Sequence, residues 1–278
     1  MGFVNPLFSQ NFEVQVKDFK TKDPIPYAVM LFGKEGSAAD ANGKAILEIR
    51  AGFRGEIHVK ALGYRDTIIP ATLLKPVPAK NIFLLQQQNH QLQEVVIKPG
   101  KVIQVGHNKE NPILNSRCHL KPGYQVGLLM KTPYKETAFL KDVSFYITHH
   151  GNLAPFRIRI YEISEDGLPG KDILTQTLLF SPHKRRSWNS VNIQEYEILV
   201  PENGLIVAAE WIFTDSSYYL IDSAGNLKYG ASIGLGYDKS FADYYMYYLN
   251  DKWRKENWSA YTRKSPTPMI RASVITAK

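Results

Sequence analysis

Short runs of alternating apolar and polar residues, each ended by proline, glycine or a turn sequence, fill this chain. Near the start, Phe12, Val14 and Val16 recur at every second position, which is the period of a strand that buries one face. Six further runs follow at residues 27–32, 45–49, 56–61, 66–70, 81–85 and 92–97. The Asn42-Gly43 pair marks a turn between two of them, and no run has a helical period. The pattern therefore predicts seven short strands that form a small β-sandwich.

The rest of the chain has the same strand-like character after a polar, Pro- and Gly-containing stretch. Residues 99–122 are that stretch, and we interpret them as a linker. About eight to ten further strand-like runs predict a larger, jelly-roll-like β-sandwich over residues 123–278. Only residues 241–250 are expected to form a short helix. The sequence thus predicts an all-β chain whose first domain covers residues 11–98.

The basic excess of the chain is mild and evenly distributed. Lysine and arginine number 34 against 26 acidic residues, a net charge of +8, of which +3 lies in residues 1–100. The one tight cluster, at residues 184–186, is interpreted as a solvated loop. Nucleic-acid-binding proteins concentrate positive charge on one face or helix, so we expect no nucleic-acid partner. A single cysteine, Cys118, excludes an internal disulfide and is interpreted as a loop or core residue.

Membrane and export signals are weak in this sequence. No apolar run approaches the ~18 residues of a membrane-spanning helix, so no transmembrane segment is expected. Residues 1–10 lack the basic start and the full apolar region of an export signal, although residues 7–10 are similar to the end of one. A truncated export signal and an ordinary N-terminal tail both remain open.

Four segments of the first half occur in order, at residues 24–29, 40–45, 61–64 and 92–97. Together they resemble the carboxypeptidase regulatory-like domain, whose fold is a transthyretin-like, seven-stranded β-sandwich. The resemblance covers residues 11–98. This family also forms N-terminal extensions of TonB-dependent outer-membrane receptors. The resemblance therefore implies an exported protein of an outer-membrane bacterium, located in the periplasm or at the cell surface. It implies a spacer, stabiliser or binding accessory and carries over no catalytic residue.

The catalytic partners of such modules are missing from the sequence. A zinc carboxypeptidase needs a His and a Glu close in sequence together with a distant His around an open metal site, and we expect no such site in this chain. Adjacent His149 and His150 would face opposite ways on a strand and are expected to lie in a turn. Residues 40–43 and 222–226 lack the final acid of an EF-hand-type calcium loop and are interpreted as turns. The second half loosely resembles sandwich domains that accompany this module, and we expect neither a metal nor a cofactor.

Aromatic residues are concentrated near the end of the chain. Residues 237–261 hold nine of them, three times the chain average of 12%. Aromatic rings offer flat apolar surfaces with polar rims, which suit sugar rings and other flat ligands. We expect a ligand-binding platform formed by Tyr237, Tyr244, Tyr248, Trp253 and Trp258. Two alternatives are a loop whose tyrosines pack onto the end of the sandwich and a protein interface.

A carboxylate lies within an otherwise apolar run at residues 205–213. Period-two alternation places Glu210 on the face opposite Trp211. A buried carboxylate is unfavourable unless it is paired and hydrogen-bonded, and Arg157 or Arg159 on another strand could pair with it. We expect a structural cross-strand ion pair, with a catalytic carboxylate and an exposed edge residue as the alternatives.

These observations favour a non-enzymatic, exported cell-envelope protein. Its first domain is expected to act as a spacer or docking module, and its second domain to bind a glycan or an envelope protein. A hydrolase with an unrecognised active site in the second sandwich is one alternative. A purely structural envelope component is another.

Overall fold

The computed structural model describes residues 9–88, 100–110, 112–119, 121–133, 138–148, 152–221, 225, 227–238, 244–247, 252–256 and 266–276. Of these, residues 9–88 belong to a first compact unit and all residues from 100 onward belong to a second. Helical structure among these residues is limited to three short 3-10 segments, Ala71–Leu73, Gln194–Tyr196 and Ser216–Tyr218. The predicted all-β class is therefore confirmed. No helix in the described part of the chain is long and apolar enough to cross a membrane.

The first unit contains seven strands in two sheets. They are β1 (Ser9–Asp18), β2 (Val29–Phe32), β3 (Glu35–Ala38), β4 (Lys44–Arg50), β5 (Glu56–Lys60), β6 (Thr67–Pro70) and β7 (Lys80–Leu85). One sheet has the order β4-β1-β7, with β1 and β7 parallel, and the other has the antiparallel order β3-β2-β5-β6. Six of these strands coincide with predicted runs. The sequence analysis missed β3 because its small and polar residues show no apolar alternation, and the predicted strand at 92–97 lies outside the described residues.

The two sheets of the first unit enclose a single apolar core. Val14 and Val16 of β1 belong to the same buried cluster as Met30 of β2 and Val59 of β5. Every second side chain of β1 points inward because successive residues of a strand face opposite sides. Each such aliphatic side chain contributes roughly 1.5–3 kcal/mol when fully buried. The first unit is therefore a β-sandwich, built on the alternation visible in its sequence.

The turn that links β3 to β4 depends on a glycine. Asp40 accepts hydrogen bonds through Oδ1 from the backbone N–H groups of Asn42 and Lys44, both at 2.8 Å. Gly43 follows with φ +69°, a left-handed conformation that glycine adopts without steric penalty. A Cβ atom at Gly43 would lie 2.5 Å from the carbonyl oxygen of Val16. The turn therefore brings the backbone closer to β1 than any other residue type would allow.

The substitution Gly43→Ala is expected to lower the free energy of unfolding by about 2 kcal/mol, because it adds both left-handed strain and a backbone clash. Gly52→Ala is the matched control. Gly52 has φ +82° but no atom within 4 Å of the added Cβ, so only the strain of about 1 kcal/mol applies. Urea denaturation of both variants measures the difference. Equal losses would show that the close approach to Val16 is unimportant.

The described residues of the second unit form sixteen strands in chain order. They are β8 (Val102–Gly106), β9 (Pro112–His119), β10 (Gln125–Met130), β11 (Ala138–Ile147), β12 (Phe156–Ile163), β13 (Pro169–Asp172), β14 (Leu178–Phe180), β15 (Ser187–Asn192), β16 (Leu199–Val200), β17 (Leu205–Trp211), β18 (Leu220–Ile221), β19 (Leu227–Tyr237), β20 (Tyr244–Tyr247), β21 (Trp253–Glu256), β22 (Pro266–Pro268) and β23 (Ile270–Thr276). A seven-stranded sheet has the order β13-β12-β17-β10-β20-β21, with β14 also beside β12. A nine-stranded sheet has the order β18-β19-β11-β23-β8; β15 and β16 also pair with β11, and β9 and β22 with β19.

Aromatic side chains join the two sheets of the second unit. Phe145 of β11 meets Phe156 of β12 edge-on, with 5.0 Å between ring centroids. Trp211 of β17 donates its indole N–H to the carbonyl oxygen of Ala231 in β19, at 2.9 Å. Gly230 makes room for this ring, since a Cβ there would lie 2.2 Å from Trp211 Cδ1. The second unit is thus also a sandwich of two facing sheets.

The predicted linker at residues 99–122 is wrong for most of its length. Residues 102–106 form β8, which pairs with β23, and residues 112–119 form β9, which pairs with β19. The glycine and proline that suggested a linker stand at the ends of these strands. These residues end the individual strands, but the segment as a whole still belongs to the sheet.

The short helix predicted at residues 241–250 is also wrong for the residues that the structure describes there. Residues 244–247 form β20, which lies between β10 and β21 in the seven-stranded sheet. Tyrosine is enriched in strands because its ring packs well on a pleated surface. The neighbouring strands on both sides also provide hydrogen-bond partners for the backbone of β20. Residues 241–243 and 248–250 lie outside the described residues.

Candidate functional site

The outer face of the seven-stranded sheet, turned away from the nine-stranded sheet, carries a buried polar cluster. On β12, Phe156 points into the sandwich, so Arg157 and Arg159 point outward. On β17, Glu210 points outward in the same way. The β12–β17 register places Arg157 directly opposite Glu210, with Ala208 opposite Arg159. Sequence alternation and strand register therefore bring both arginines to the one carboxylate.

Glu210 accepts hydrogen bonds from both arginines. Arg157 binds it in a bidentate manner, with Nε 2.8 Å from Oε2 and Nη2 2.7 Å from Oε1. Arg159 adds a third bond from Nη1 to Oε2, at 2.9 Å. Glu210 and Arg157 are each only 1% exposed. Both carboxylate oxygens are thus occupied by guanidinium groups, an arrangement that suits a brace between two strands better than proton transfer.

Three residues that the sequence analysis did not single out complete the cluster. Arg159 donates through Nε to Asp172 of β13, which also accepts the backbone N–H of Leu174 at 3.0 Å. Tyr161 donates its hydroxyl to Oε1 of Gln125 on β10, at 2.7 Å. The only sequence signal for Tyr161 is its place two residues after Arg159 on the same strand face. Asp172 and Gln125 gave none, because nothing in their local sequence distinguishes them from other polar residues of the chain.

Burial dominates the titration behaviour of this cluster. It raises the pKa of the Asp172 carboxyl above its ordinary value, although Arg159 beside it acts in the opposite direction. Burial opposes the charged form of Arg159, but Asp172, Tyr161 and Glu210 together outweigh it and raise the pKa of the guanidinium well above its ordinary value. Burial also raises the pKa of Tyr161. The tyrosine therefore stays neutral and serves the cluster as a hydrogen-bond donor.

The three residues of the expected aromatic platform that the structure describes do not share one face. Tyr237 is half-buried at the end of β19, in the nine-stranded sheet. Tyr244 lies in the seven-stranded sheet and is 1% exposed, so the prediction that its ring contacts a ligand is wrong. Successive side chains of β20 face opposite sides of the sheet, and Tyr244 is on the side that packs inward. Tyr248 and Trp258 lie outside the described residues.

Trp253 is the member of that set with a surface position on the seven-stranded sheet. It opens β21, the edge strand, and is half-buried. Its ring packs edge-on against Tyr161, at 5.3 Å between centroids, and tilted against Tyr247, at 5.4 Å. Exposed Lys255 lies on the same face of β21, two residues along. Neighbouring rings thus hold the indole in place, and the side chain remains partly exposed.

A second buried polar group, His107, follows β8 in the nine-stranded sheet. The imidazole is fully buried, and its Nδ1 lies 3.1 Å from Oγ1 of Thr267. Gly236 of β19 leaves room for the ring, since a Cβ there would lie 2.8 Å from Nε2. Burial lowers the pKa of His107 to about 4, with the charge of Asp238 acting in the opposite direction. His107 is therefore neutral at physiological pH. Sequence reasoning did not find it, because it stood in the predicted linker.

The remaining sequence candidates contribute no site to the described structure. His149, His150 and residues 222–224 lie outside the described residues, and Cys118 is in β9 with its side chain also outside them. Within the described ranges, no group of three or more His, Cys, Asp or Glu side chains is arranged to hold a metal ion.

No protein-family model and no curated protein sequence matches this chain. Two solved structures of infectious bursal disease virus, from the Gt and Gx strains, are similar to it at 11% identity each. Their TM-scores are 0.28 and 0.26, with 98% of this chain covered in both cases. The chain spans less than two thirds of each viral chain, 61% and 62%. At TM-scores this far below 0.5, the likeness carries no information about shared fold or function.

Proposed function

We propose that this chain is a non-enzymatic binding or accessory protein of the bacterial cell envelope, exported to the periplasm or the cell surface. Its second unit contacts a glycan or an envelope protein through the β21 edge of the seven-stranded sheet. The export and envelope parts of this proposal rest on the resemblance of residues 11–98 to the carboxypeptidase regulatory-like domain.

One observation carries the binding part of the proposal. On the outer face of the seven-stranded sheet, Glu210 is engaged with two arginines. Trp253 is half-buried at the β21 edge and is held in place by Tyr161 and Tyr247. A fixed aromatic ring beside exposed polar side chains is the kind of surface that binds sugar rings and partner proteins. Surface recognition therefore accounts for this face better than catalysis does.

The substitution Trp253→Ala is expected to weaken binding about tenfold on a panel of bacterial envelope glycans, because a stacked ring contributes on that scale. Trp253→Phe retains a flat ring and should keep part of the affinity. The matched control is Tyr196→Ala, which removes another half-buried aromatic ring from the same unit. Thermal denaturation of each variant verifies folding. Unchanged glycan binding by a folded Trp253→Ala protein would contradict this role, and a pull-down from envelope extract then tests a protein partner.

A further inference from the structure

The loop between β14 and β15 presents a compact group of positive charges. Lys184, Arg185 and Arg186 are all exposed there. The loop leads from β14, which pairs with β12 in the seven-stranded sheet, to β15, which pairs with β11 in the nine-stranded sheet. Three strands separate β12 from β21, so the loop is a different surface from the β21 edge.

A buried asparagine fixes the backbone of this loop. Asn189 is fully buried, and its Oδ1 accepts hydrogen bonds from the backbone N–H groups of His183 and Lys184, both at 3.0 Å. Its Nδ2 donates to the carbonyl oxygens of Lys184 at 2.7 Å and Ser187 at 3.0 Å. Arg186 has φ 53°, a left-handed conformation that is unfavourable for a residue with a side chain. A strained backbone conformation of this kind persists only where surrounding contacts hold it, so the three cations lie on an ordered loop.

An aromatic ring and a fourth cation adjoin the loop. Trp188 of β15 packs edge-on against Tyr146, at 5.7 Å between centroids. The guanidinium carbon of Arg271, on β23, lies 4.0 Å from the centroid of the Trp188 ring. Trp188 Nε1 and Arg271 Nε are buried N–H donors with no hydrogen-bond partner among the described residues. Glu110 approaches Arg271 only at 3.9 Å. Positive charge and a half-buried aromatic ring therefore coincide on this part of the sheet.

We propose that this cationic–aromatic surface, formed by residues 184–186 with Trp188 and Arg271, binds an anionic glycan that carries sulfate or uronic-acid groups. Guanidinium groups pair with sulfate and carboxylate oxygens through two parallel N–H bonds. The indole ring supplies the flat apolar contact that a sugar ring requires. Three cations on one loop form too short an electrostatic track for a nucleic acid, and no recognition helix adjoins them. This site extends the proposed function to a second surface with its own ligand chemistry.

The test compares binding of the full chain to immobilised dextran sulfate, polygalacturonate and uncharged dextran. The variant Lys184→Ala, Arg185→Ala, Arg186→Gly removes the three loop charges, with glycine chosen to match the left-handed backbone of Arg186. We expect wild-type protein to bind at least one of the anionic polymers and not dextran. The variant should bind that polymer about tenfold more weakly at low salt. Trp188→Leu should weaken binding about fivefold without changing its salt dependence, because it removes a ring and no charge.

The matched control is Lys121→Ala, Lys131→Ala, Lys171→Ala, which removes three exposed charges from elsewhere in the same unit. It should retain wild-type affinity for the anionic polymers. Equal loss in the loop variant and this control would overturn the proposal, as would equal binding to dextran and dextran sulfate. Tighter binding to duplex DNA or to anionic lipid vesicles than to both glycans would overturn it as well. The Trp253 variants should bind dextran sulfate normally, so failure of this site and failure of the β21 edge are distinguishable.

Discussion

Replacing Glu210 with glutamine is expected to lower the free energy of unfolding by roughly 3–5 kcal/mol, because it removes the negative charge that two buried guanidinium groups share. The change preserves the shape of the side chain, so little of the loss can come from altered packing. Arg157 and Arg159 together make three hydrogen bonds to the two carboxylate oxygens, and glutamine offers only one acceptor oxygen. Thermal or urea denaturation at pH 7 measures the loss.

The matched control is Glu162→Gln on β12, the strand that carries both arginines. Glu162 is exposed, so its replacement should change stability by less than about 0.5 kcal/mol. A Glu210→Gln protein as stable as this control would show that the cluster contributes nothing to the fold. A buried ion pair need not be more stabilising than apolar residues of the same shape, but removal of one partner alone is strongly destabilising.

Acidification is expected to destabilise the second unit through His107. Its pKa is about 4 in the folded protein and about 6.5 in the unfolded chain, so the unfolded chain binds the proton first as pH falls. The contribution of neutral His107 to the free energy of unfolding is complete above pH 6.5 and is lost progressively as the pH falls to 4. The loss is about 2 kcal/mol at pH 5 and roughly 3 kcal/mol below pH 4, since each pKa unit corresponds to about 1.4 kcal/mol. Burial depresses the pKa, and Asp238 opposes the shift while Arg271 reinforces it.

The pH effect is isolated with His107→Gln, which has no titrating group at this position. Carboxyl groups also titrate near pH 4, so the informative quantity is the difference between the wild-type and variant stability curves. His183→Gln, at an exposed histidine, is the matched control and should change stability at pH 7 by less than about 0.5 kcal/mol. Parallel curves for wild type and His107→Gln would contradict the assignment of this loss to His107.

The strands were largely predictable because their apolar alternation is a local property of the sequence. Alternation such as Phe12, Val14 and Val16 appears directly as buried residues of β1. The prediction failed at β8 and β9, where glycine and proline stand next to strands that are secured by distant partners. It failed again at residues 244–247, where a tyrosine run joins a sheet instead of forming a helix. Long-range pairing decided both cases, and a local pattern contains no information about it.

The candidate sites were predictable only where the sequence of a single strand indicated them. Glu210 stood out because a carboxylate within an apolar run needs a partner, and the alternating arginines at positions 157 and 159 offered one. Asp172 joins them across a strand pair that the sequence does not reveal. The contact between Trp188 and Arg271 links β15 and β23, which are separated by about eighty residues. Juxtapositions of that kind follow from topology, so composition and spacing could not indicate them.

The most direct test of the proposed function is binding to envelope glycans measured together with glycan hydrolysis on the same samples. A non-enzymatic binding module predicts that wild-type protein retains at least one glycan, that the bound glycan is recovered at unchanged mass, and that Trp253→Ala weakens the retention. Released sugar fragments that disappear in a folded Glu210→Gln protein would contradict this account and assign a hydrolase site to the second unit.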